Sequence, residues 1–182
     1  YEVLLGEGNG KVWAEKAKIR AEKMNTLLWD AAEGVYKDYN YVTGKSSSTV
    51  SAASFQPYFA GIATDKQKSG LPKLLQALES EWGIFTTVKT EKKYQWAHPN
   101  IWAPCQYIAA EALCRYGYEE ESKRIARKYT ELIEKNFIKH GKLYEKYNGI
   151  TGDTDAISEY DTPEMLGWTA GVYMNLLQRK SK

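Results

Sequence analysis

The chain has 182 residues, which is enough for one domain with a sizeable core. Its net charge of +2 gives no reason to expect nucleic acid or an anionic membrane as a partner, and no apolar run reaches the length of a membrane span. The aromatic content is high, with six Trp and fourteen Tyr. Such residues can fill a core, and they also suit sugar binding, because flat rings stack on the apolar faces of sugars.

The first predicted element is an amphipathic helix. Residues 1–10 are rich in glycine and are predicted to be a linker or a disordered start. From residue 11 to about residue 29, apolar side chains recur at steps of three and four, which is the spacing of one face of an α-helix. The residues on that face are Trp13, Ala17, Ala21, Met24 and Leu28.

Five further segments continue the helical pattern. Amphipathic helices are predicted at 65–81 and 119–137, and helices that are apolar on most sides at 51–60, 102–116 and 165–178. A helix that is apolar all round needs neighbours on both sides, whereas an amphipathic helix needs a core on one side only. The alternation therefore predicts an all-α fold of three helical hairpins, with three apolar inner helices side by side and three amphipathic outer helices.

Two nine-residue stretches, 36–44 and 144–152, are internal repeats. Tyr, Tyr, Asn, Thr and Gly recur in register at an offset of 108 residues, which predicts a repeated supersecondary unit. Turn residues close each stretch, so each is expected to be an irregular or strand-like segment between helices. The sharpest difference is Lys37 in the first copy against Glu145 in the second. From the repeat alone, two interpretations stay open: both positions are solvated surface, or the second copy carries a function.

Cysteine and histidine give no sign of a disulfide or a cofactor. Cys105 and Cys114 are predicted to lie on one helix. At 1.5 Å per residue they are about 13 Å apart, and a disulfide needs Cα atoms within about 7 Å. They should therefore be unpaired. His98 has no second His, Cys or acid at ligand spacing, so neither a metal nor any other cofactor is expected.

Three stretches mix aromatic and polar residues, as a sugar site requires. They are Gln-Trp-Ala-His-Pro-Asn-Ile-Trp-Ala-Pro at 95–104, Leu-Tyr-Glu-Lys-Tyr-Asn at 143–148, and Glu-Tyr at 159–160 followed by Gly-Trp-Thr-Ala-Gly-Val at 167–172. Each lies at the start of a predicted inner helix or in the loop that leads to it. In a ring of hairpins those points gather at one mouth.

Together these stretches resemble the trehalase family of glycoside hydrolases and its relative, the processing α-glucosidases that trim glucose from oligosaccharides. The trehalase signature Q-W-D-x-P-N-G-W-A-P is matched at 95–104, except that Ala97 replaces its Asp and Ile101 its Gly. The family's E-K-Y-D is matched at 145–148, with Asn148 in place of its Asp. Its G-G-E-Y and G-W-T-N-G-V are matched at 159–160 and 167–172, without the glycine pair and with Ala170 in place of Asn.

The resemblance implies an (α/α)6 toroid, of which residues 11–182 are the C-terminal half of the catalytic domain. It implies an inverting hydrolase that acts on α-glucosidic bonds, in which one carboxyl group protonates the leaving oxygen and another activates water. It assigns the role of general base to Glu145. The substrate-binding residues that we expect on this basis are Glu159, Gln95, Trp96, Asn100 and Trp102.

The family's general acid is an aspartate in the first half of the toroid, and its motif has no counterpart in this chain. We therefore expect the isolated chain to be inactive. Glu145 is expected to face the cavity near Trp102 and Glu159. Because neighbours in an extended strand alternate faces, Lys146 is expected to point away from Glu145 and not to neutralise it.

Other interpretations stay open from the sequence. The chain could be a non-catalytic carbohydrate-binding module, or a helical repeat that binds a protein. The stretch 95–104 could simply pack Trp96 and Trp102 into the core, and Glu159 could be a capping or solvated carboxylate.

The expected partner is a carbohydrate α-glucoside, with no nucleic acid or membrane, and with self-association through the exposed edges of the half toroid. No signal-peptide pattern is visible, which favours the cytoplasm, but the chain starts at Tyr1 and not at Met, so localisation stays unassigned.

Overall fold

Helices dominate the computed structural model, which describes residues 8, 10–89, 94–157, 159–164 and 167–180. The helices are α1 (Gly10–Leu27), α2 (Gln56–Phe59), α3 (Asp65–Lys68), α4 (Gly70–Leu78), α5 (Ala103–Arg115), α6 (Glu119–His140) and α7 (Trp168–Lys180), and a 3-10 turn (Ala52–Phe55) leads into α2. The strands are β1 (Trp29–Asp30), β2 (Val35–Tyr36), β3 (Tyr39–Asn40), β4 (Lys45–Ser46), β5 (Asn100–Trp102) and β6 (Lys146–Asn148). They form three antiparallel pairs, β1–β2, β3–β4 and β5–β6. Within the described ranges there is no central sheet, and the all-α prediction is confirmed.

The helices form two layers. In the inner layer α5 contacts both α2 and α7, while α6 packs from outside onto α5 and α7. Helix α5 buries residues on several sides: Ala103, Gln106, Ala109, Ala110, Ala112 and Leu113. Helix α6 buries one stripe, which includes the predicted inward residues Ile125, Tyr129, Leu132 and Ile133. The predicted alternation of inner and outer helices is therefore confirmed in these hairpins.

Sequence signals set the ends of the two helices that flank the second repeat. Helix α5 has Pro104 in its first turn, where the missing N–H costs nothing. Helix α6 begins with three glutamates, whose charge is favourable at the positive end of the helix dipole. It ends at Gly141, which adopts a left-handed φ of 68° and bonds through its N–H to the carbonyl of Phe137. The chain then turns directly into the 144–152 stretch.

Several predicted boundaries shift. The first inner helix is only the short α2 with its 3-10 turn, because Pro57 has no N–H to continue an upstream helical ladder. Trp102 ends strand β5, and α5 begins one residue later. The last inner helix begins at Trp168, and residues 165–166 of its predicted start lie outside the described residues. Of the predicted linker, residues 1–7 and 9 also lie outside them, and Gly10 begins α1.

Helix α1 forms where the periodicity predicts it, but its apolar face is not covered. No residue between Gly10 and Leu27 is buried, and Trp13 is 54% exposed. The helix is attached near its C-terminal end, where Asn25 accepts a hydrogen bond from the hydroxyl of Tyr36 and donates one to the carbonyl of Ile62. An amphipathic helix buries its apolar face only if another element lies against it, and the described part of the chain supplies none.

The core has two parts. One joins β2, α2, α4 and one side of α5 around Tyr36, Phe55 and Tyr58. The other joins α5, α6 and α7 to β5 and β6, and includes Tyr129 and Tyr147. The second part lies against the strands that carry two of the sequence motifs. Both cysteines lie on α5 and are unpaired, as predicted.

Candidate functional site

The site is built on the short ladder between β5 and β6. The paired residues are Asn100 with Asn148, Ile101 with Tyr147, and Trp102 with Lys146. All six are buried. Glu145 directly precedes β6, so the pairing of Trp102 with Lys146 brings Glu145 beside Trp102. The ladder thus connects the motif at 95–104 with the motif at 143–148.

The third motif holds the backbone around Glu145. The N–H of Glu145 donates to the carbonyl of Pro163 at 3.1 Å. Tyr144 forms an isolated bridge with Glu164, and its carbonyl accepts a hydrogen bond from the buried hydroxyl of Thr169, on α7, at 2.8 Å. The segment that contains Glu145 and leads into β6 is thus held from β5, from the 159–164 loop and from the inner helix α7. All three motif stretches meet at this point.

The carboxylate of Glu145 receives two hydrogen bonds on the same oxygen. Oε2 lies 3.0 Å from Nζ of Lys146 and accepts the hydroxyl proton of Tyr160 at 2.7 Å. Glu145 is 8% exposed. Because its hydroxyl donates to this carboxylate, the pKa of Tyr160 is raised above its ordinary value.

The expected direction of Lys146 is wrong. Its side chain is fully buried and forms an ion pair with Glu145. Strand alternation fixes only the direction of the Cα–Cβ bond, and the flexible stem of a lysine lets its ammonium group return to the neighbouring side. The ammonium lies 5.1 Å from the ring centre of Trp102 and 4.4 Å from that of Tyr160, so two aromatic faces help to compensate its buried charge.

Three tryptophans form a cluster beside this pair. Trp96 stacks on Trp102, with ring centres 3.9 Å apart and planes 7° apart, and Trp168 meets both rings edge-on. Trp102 is buried, while Trp96 is 46% exposed. The indole N–H of Trp102 donates to the carbonyl of Gln95 at 2.9 Å. Trp96 is therefore the ring of the stack that is available to solvent.

Asn100 ties loops together with its side chain. Its amide nitrogen donates to the carbonyls of Gln95 and Ile157, and its amide oxygen accepts from the N–H of Ile157. The side chain is fully buried. The amide oxygen of Gln95 is also buried, and it has no hydrogen-bond partner among the described residues. Leaving a buried acceptor unsatisfied is costly, so this oxygen is suited to accept a hydrogen bond from a bound ligand.

Glu159 is exposed and directly precedes Tyr160. It therefore lies on the loop whose tyrosine contacts Glu145. The sequence argument singled out Glu145, Glu159, Gln95, Trp96, Asn100 and Trp102, and it did not assign roles to Lys146, Tyr160 or Thr169. All three stand inside the motif stretches, and only contacts between distant parts of the chain distinguish them from their neighbours.

The described residues contain no group of His, Cys, Asp and Glu that would hold a metal ion. None of the described helices combines the length and apolar character that crossing a bilayer requires.

Comparisons of the amino-acid sequence with known proteins agree with one another. Residues 2–181 match the family model described as Trehalase. The chain is 34% identical to a periplasmic trehalase of Xanthomonas campestris pv. campestris, over 91% of this chain and 29% of that protein. It is 33% identical to a cytosolic neutral trehalase of Emericella nidulans, over 77% of this chain and 20% of that protein. The chain thus spans about three tenths or less of the length of these relatives.

Solved structures agree. Neutral trehalase Nth1 from Saccharomyces cerevisiae superimposes with a TM-score of 0.77 at 31% identity, covering 92% of this chain and 30% of that one. A GH63 mannosylglycerate hydrolase from Thermus thermophilus superimposes with a TM-score of 0.76 at 22% identity, covering 97% of this chain and 41% of that one. At that identity the second match concerns the fold alone. The predicted partial (α/α)6 toroid is confirmed, and the outer helix predicted at 65–81 is divided at Ser69 into α3 and α4.

Proposed function

The chain belongs to the trehalase family, and we propose that residues 11–182 form the C-terminal half of a catalytic toroid that hydrolyses α-glucosidic bonds with inversion. One observation carries the proposal. The carboxylate of Glu145 is held by hydrogen bonds on a single oxygen, beside a tryptophan cluster and at the meeting point of three motif stretches. The class of bond follows from family membership, since the relatives matched over most of this chain are named as trehalases.

Glu145 acts as the general base in this proposal. An ionised carboxylate removes a proton from water while that water attacks the anomeric carbon from the face opposite the leaving group. The base must be fixed in direction, because proton transfer requires hydrogen-bond distance to the attacking water. The contacts to Lys146 and Tyr160 supply that fixation.

The substrate-binding roles follow from what each side chain offers. Trp96 presents a half-exposed ring on which a sugar face can stack. Glu159 is exposed and offers acceptors for sugar hydroxyls, and the amide oxygen of Gln95 is an unused buried acceptor in the described part of the chain. Trp102 and Asn100 are buried, so we assign them the support of Trp96 and of the surrounding loops.

Inverting hydrolysis needs a second carboxyl group, roughly 6.5–9.5 Å from the first, that protonates the leaving oxygen. We propose that this acid comes from the first half of the toroid, so that the isolated chain does not hydrolyse glycosides. No cofactor is needed for this reaction. The family relatives named above are periplasmic and cytosolic, so membership of the family does not select a compartment.

The test uses a complemented protein, in which this chain is joined to the first half of a trehalase-family toroid. With α,α-trehalose, inversion at one carbon releases one β-glucose and one α-glucose, which proton NMR resolves before mutarotation. Glu145→Gln should lower turnover by about 10²–10⁴-fold, while Glu159→Gln should mainly raise KM. Turnover within a few-fold of the parent in Glu145→Gln, with loss in Glu159→Gln, would mean that the base is the other glutamate. Release of two α-glucose molecules would contradict inversion.

The uncovered helix α1 supports one further proposal, self-association of the isolated chain. Val12, Trp13 and Ile19 are exposed on it, and exposed apolar surface favours association. Sedimentation velocity should show a weight-average mass that rises with concentration, and Trp13→Ser should reduce that rise. A monomer at all concentrations would refute this proposal without affecting the catalytic one.

A further inference from the structure

We propose that Lys146 and Tyr160 are positioning residues that clamp oxygen Oε2 of Glu145 and thereby leave Oε1 as the atom that accepts the proton of the attacking water. The inference rests on the proposed role of Glu145 as the general base. It adds which oxygen of the carboxylate reacts and which two side chains select it.

The selection is visible in the contacts. Lys146 and Tyr160 approach from different parts of the chain, yet both donate to Oε2, at 3.0 Å and 2.7 Å. No hydrogen bond from the part of the chain that the structure describes reaches Oε1. The two oxygens of one carboxylate are therefore inequivalent before any substrate binds.

Two hydrogen-bond donors on one oxygen restrict the rotation of the Glu145 carboxylate about its terminal torsion. The terminal torsion of a glutamate is broad and nearly two-fold, so a free carboxylate exchanges its oxygens readily. Turning the carboxylate of Glu145 out of its present plane would break two charge-assisted hydrogen bonds at once. A complete half rotation restores both bonds on the other, chemically equivalent oxygen, so Oε1 denotes whichever oxygen does not accept from Lys146 and Tyr160. During reaction the water O–H bond breaks and its proton goes to Oε1, while the water oxygen forms the new bond to the anomeric carbon and the bond from that carbon to the leaving oxygen breaks. The leaving oxygen takes a proton from the acid carboxyl of the complementing half.

Lys146 does not take part in that transfer. Its ammonium group is buried between the rings of Trp102 and Tyr160 and donates to Oε2. Because Lys146 lies on β6 opposite Trp102, the cation is placed by the same ladder that forms the site.

Tyr160 connects Glu145 to the 159–164 loop, on which it lies. Its neighbour Glu159 is a proposed sugar-binding residue, and the N–H of Glu145 bonds to Pro163 of the same loop. A loop that holds the sugar therefore also holds the base. A displacement of about 1 Å between base and reacting atom costs up to about 100-fold in rate, so this coupling affects the chemical step more than binding.

The first test needs no activity and uses the isolated chain. Tyrosine Cζ carbons labelled with ¹³C report each hydroxyl titration by NMR, and Tyr160→Phe identifies the resonance. The pKa of Tyr160 is raised in the native chain, chiefly by its bond to Glu145, and Glu145→Gln should bring it down towards the ordinary value. Tyr173 is the matched control, since its hydroxyl bonds to Glu134 elsewhere. If Tyr160 titrates identically in the native chain and in Glu145→Gln, the clamp does not exist and the inference is overturned.

The second test measures hydrolysis in the complemented protein. Lys146→Met and Tyr160→Phe should each lower kcat by about 10- to 100-fold with KM nearly unchanged. The control Tyr173→Phe should leave both kcat and KM unchanged. If both variants keep the parent kcat while Glu145→Gln loses it, the positioning role is wrong and the proposed function stands. If Glu145→Gln keeps the parent turnover, Glu145 is not the general base, and both the proposed function and the positioning role of Lys146 and Tyr160 are wrong. Tyr160→Phe keeps the ring and removes only the hydroxyl group, so it remains informative if Lys146→Met fails to fold.

Discussion

The loops at 36–44 and 144–152 share the backbone hydrogen bonds of one turn and carry opposite charges at one equivalent position, Lys37 in the first and Glu145 in the second. In each, the side-chain oxygen of an asparagine accepts the N–H groups two and three residues later: Asn40 in the first and Asn148 in the second. In each, the carbonyl of that asparagine accepts the N–H of a glycine with left-handed φ, 67° at Gly44 and 65° at Gly152. Asn and Gly, two of the five residues shared between the copies, thus make the turn.

Both loops are also fixed to the inner helical layer by a hydroxyl. Ser54 donates to the carbonyl of Tyr36, and Thr169 donates to that of Tyr144. Ser54 and Thr169 are 115 residues apart, which is seven more than the offset of the loops. The second copy therefore has seven additional residues between its turn and the inner helix, in the part of the chain that contains Glu159 and Tyr160.

The charges are buried in both copies, so the interpretation of both positions as solvated surface is wrong. Lys37 pairs with Asp30 at 3.4 Å and with Glu33 at 2.5 Å, both from the preceding β1–β2 hairpin. Burial alone would lower the pKa of Lys37, but its acidic partners outweigh burial and raise it. Glu145 instead takes its partners, Lys146 and Tyr160, from its own strand and from the inserted segment. The same turn thus carries a cation neutralised by two acids in the first copy. In the second copy it carries a carboxylate on which, among the described residues, only Oε2 accepts hydrogen bonds.

The largest expected difference between the loops is in stability. Glu145→Gln leaves the ammonium of Lys146 buried without a counter-ion, which should lower the unfolding free energy by about 3–5 kcal/mol. Glu145→Gln/Lys146→Met removes both charges and should recover most of that loss. Urea unfolding of the isolated chain measures both variants. If the single variant loses less than about 1 kcal/mol and the second change brings no recovery, the ion pair is not buried as described.

The turn glycines provide a matched pair with a smaller effect. Gly152→Ala places a Cβ 2.3 Å from the indole ring of Trp82, while Gly44→Ala meets only the Tyr39 hydroxyl at 3.7 Å. Both variants force alanine into the left-handed region, at about 1–2 kcal/mol, and Gly152→Ala adds overpacking of about 1–3 kcal/mol. We expect a larger fall in urea midpoint for Gly152→Ala. Equal falls would mean that the two turns are packed alike.

The smallest effect is expected for Lys37→Met in the first loop. The carboxylate of Glu33 is more than half exposed, so water can solvate it once the lysine is lost. The loss should be about 1 kcal/mol or less, well below that of Glu145→Gln in the same unfolding assay. A loss as large as for Glu145→Gln would remove the stability difference between the loops.

Much of this comparison is readable from the sequence. The five identical residues of each repeat predict the turn, because Asn and Gly have specific roles there, and hydrophobic periodicity predicts α6 and its buried stripe. The direction of Lys146 is not readable, since a flexible stem lies between its backbone position and its charge. The uncovered face of α1 shows the other limit: periodicity identifies a face suited to burial and does not reveal whether a partner covers it.

The central claim is that the second loop carries the base and the first has a structural role only. The most direct measurement is the turnover of Glu145→Gln and of Lys37→Met, side by side in the complemented protein, on trehalose, below the unfolding temperature of both variants. We predict a loss of about 10²–10⁴-fold for Glu145→Gln, with Lys37→Met close to the parent protein. Equal losses in the two variants, or parental turnover in Glu145→Gln, would contradict the account.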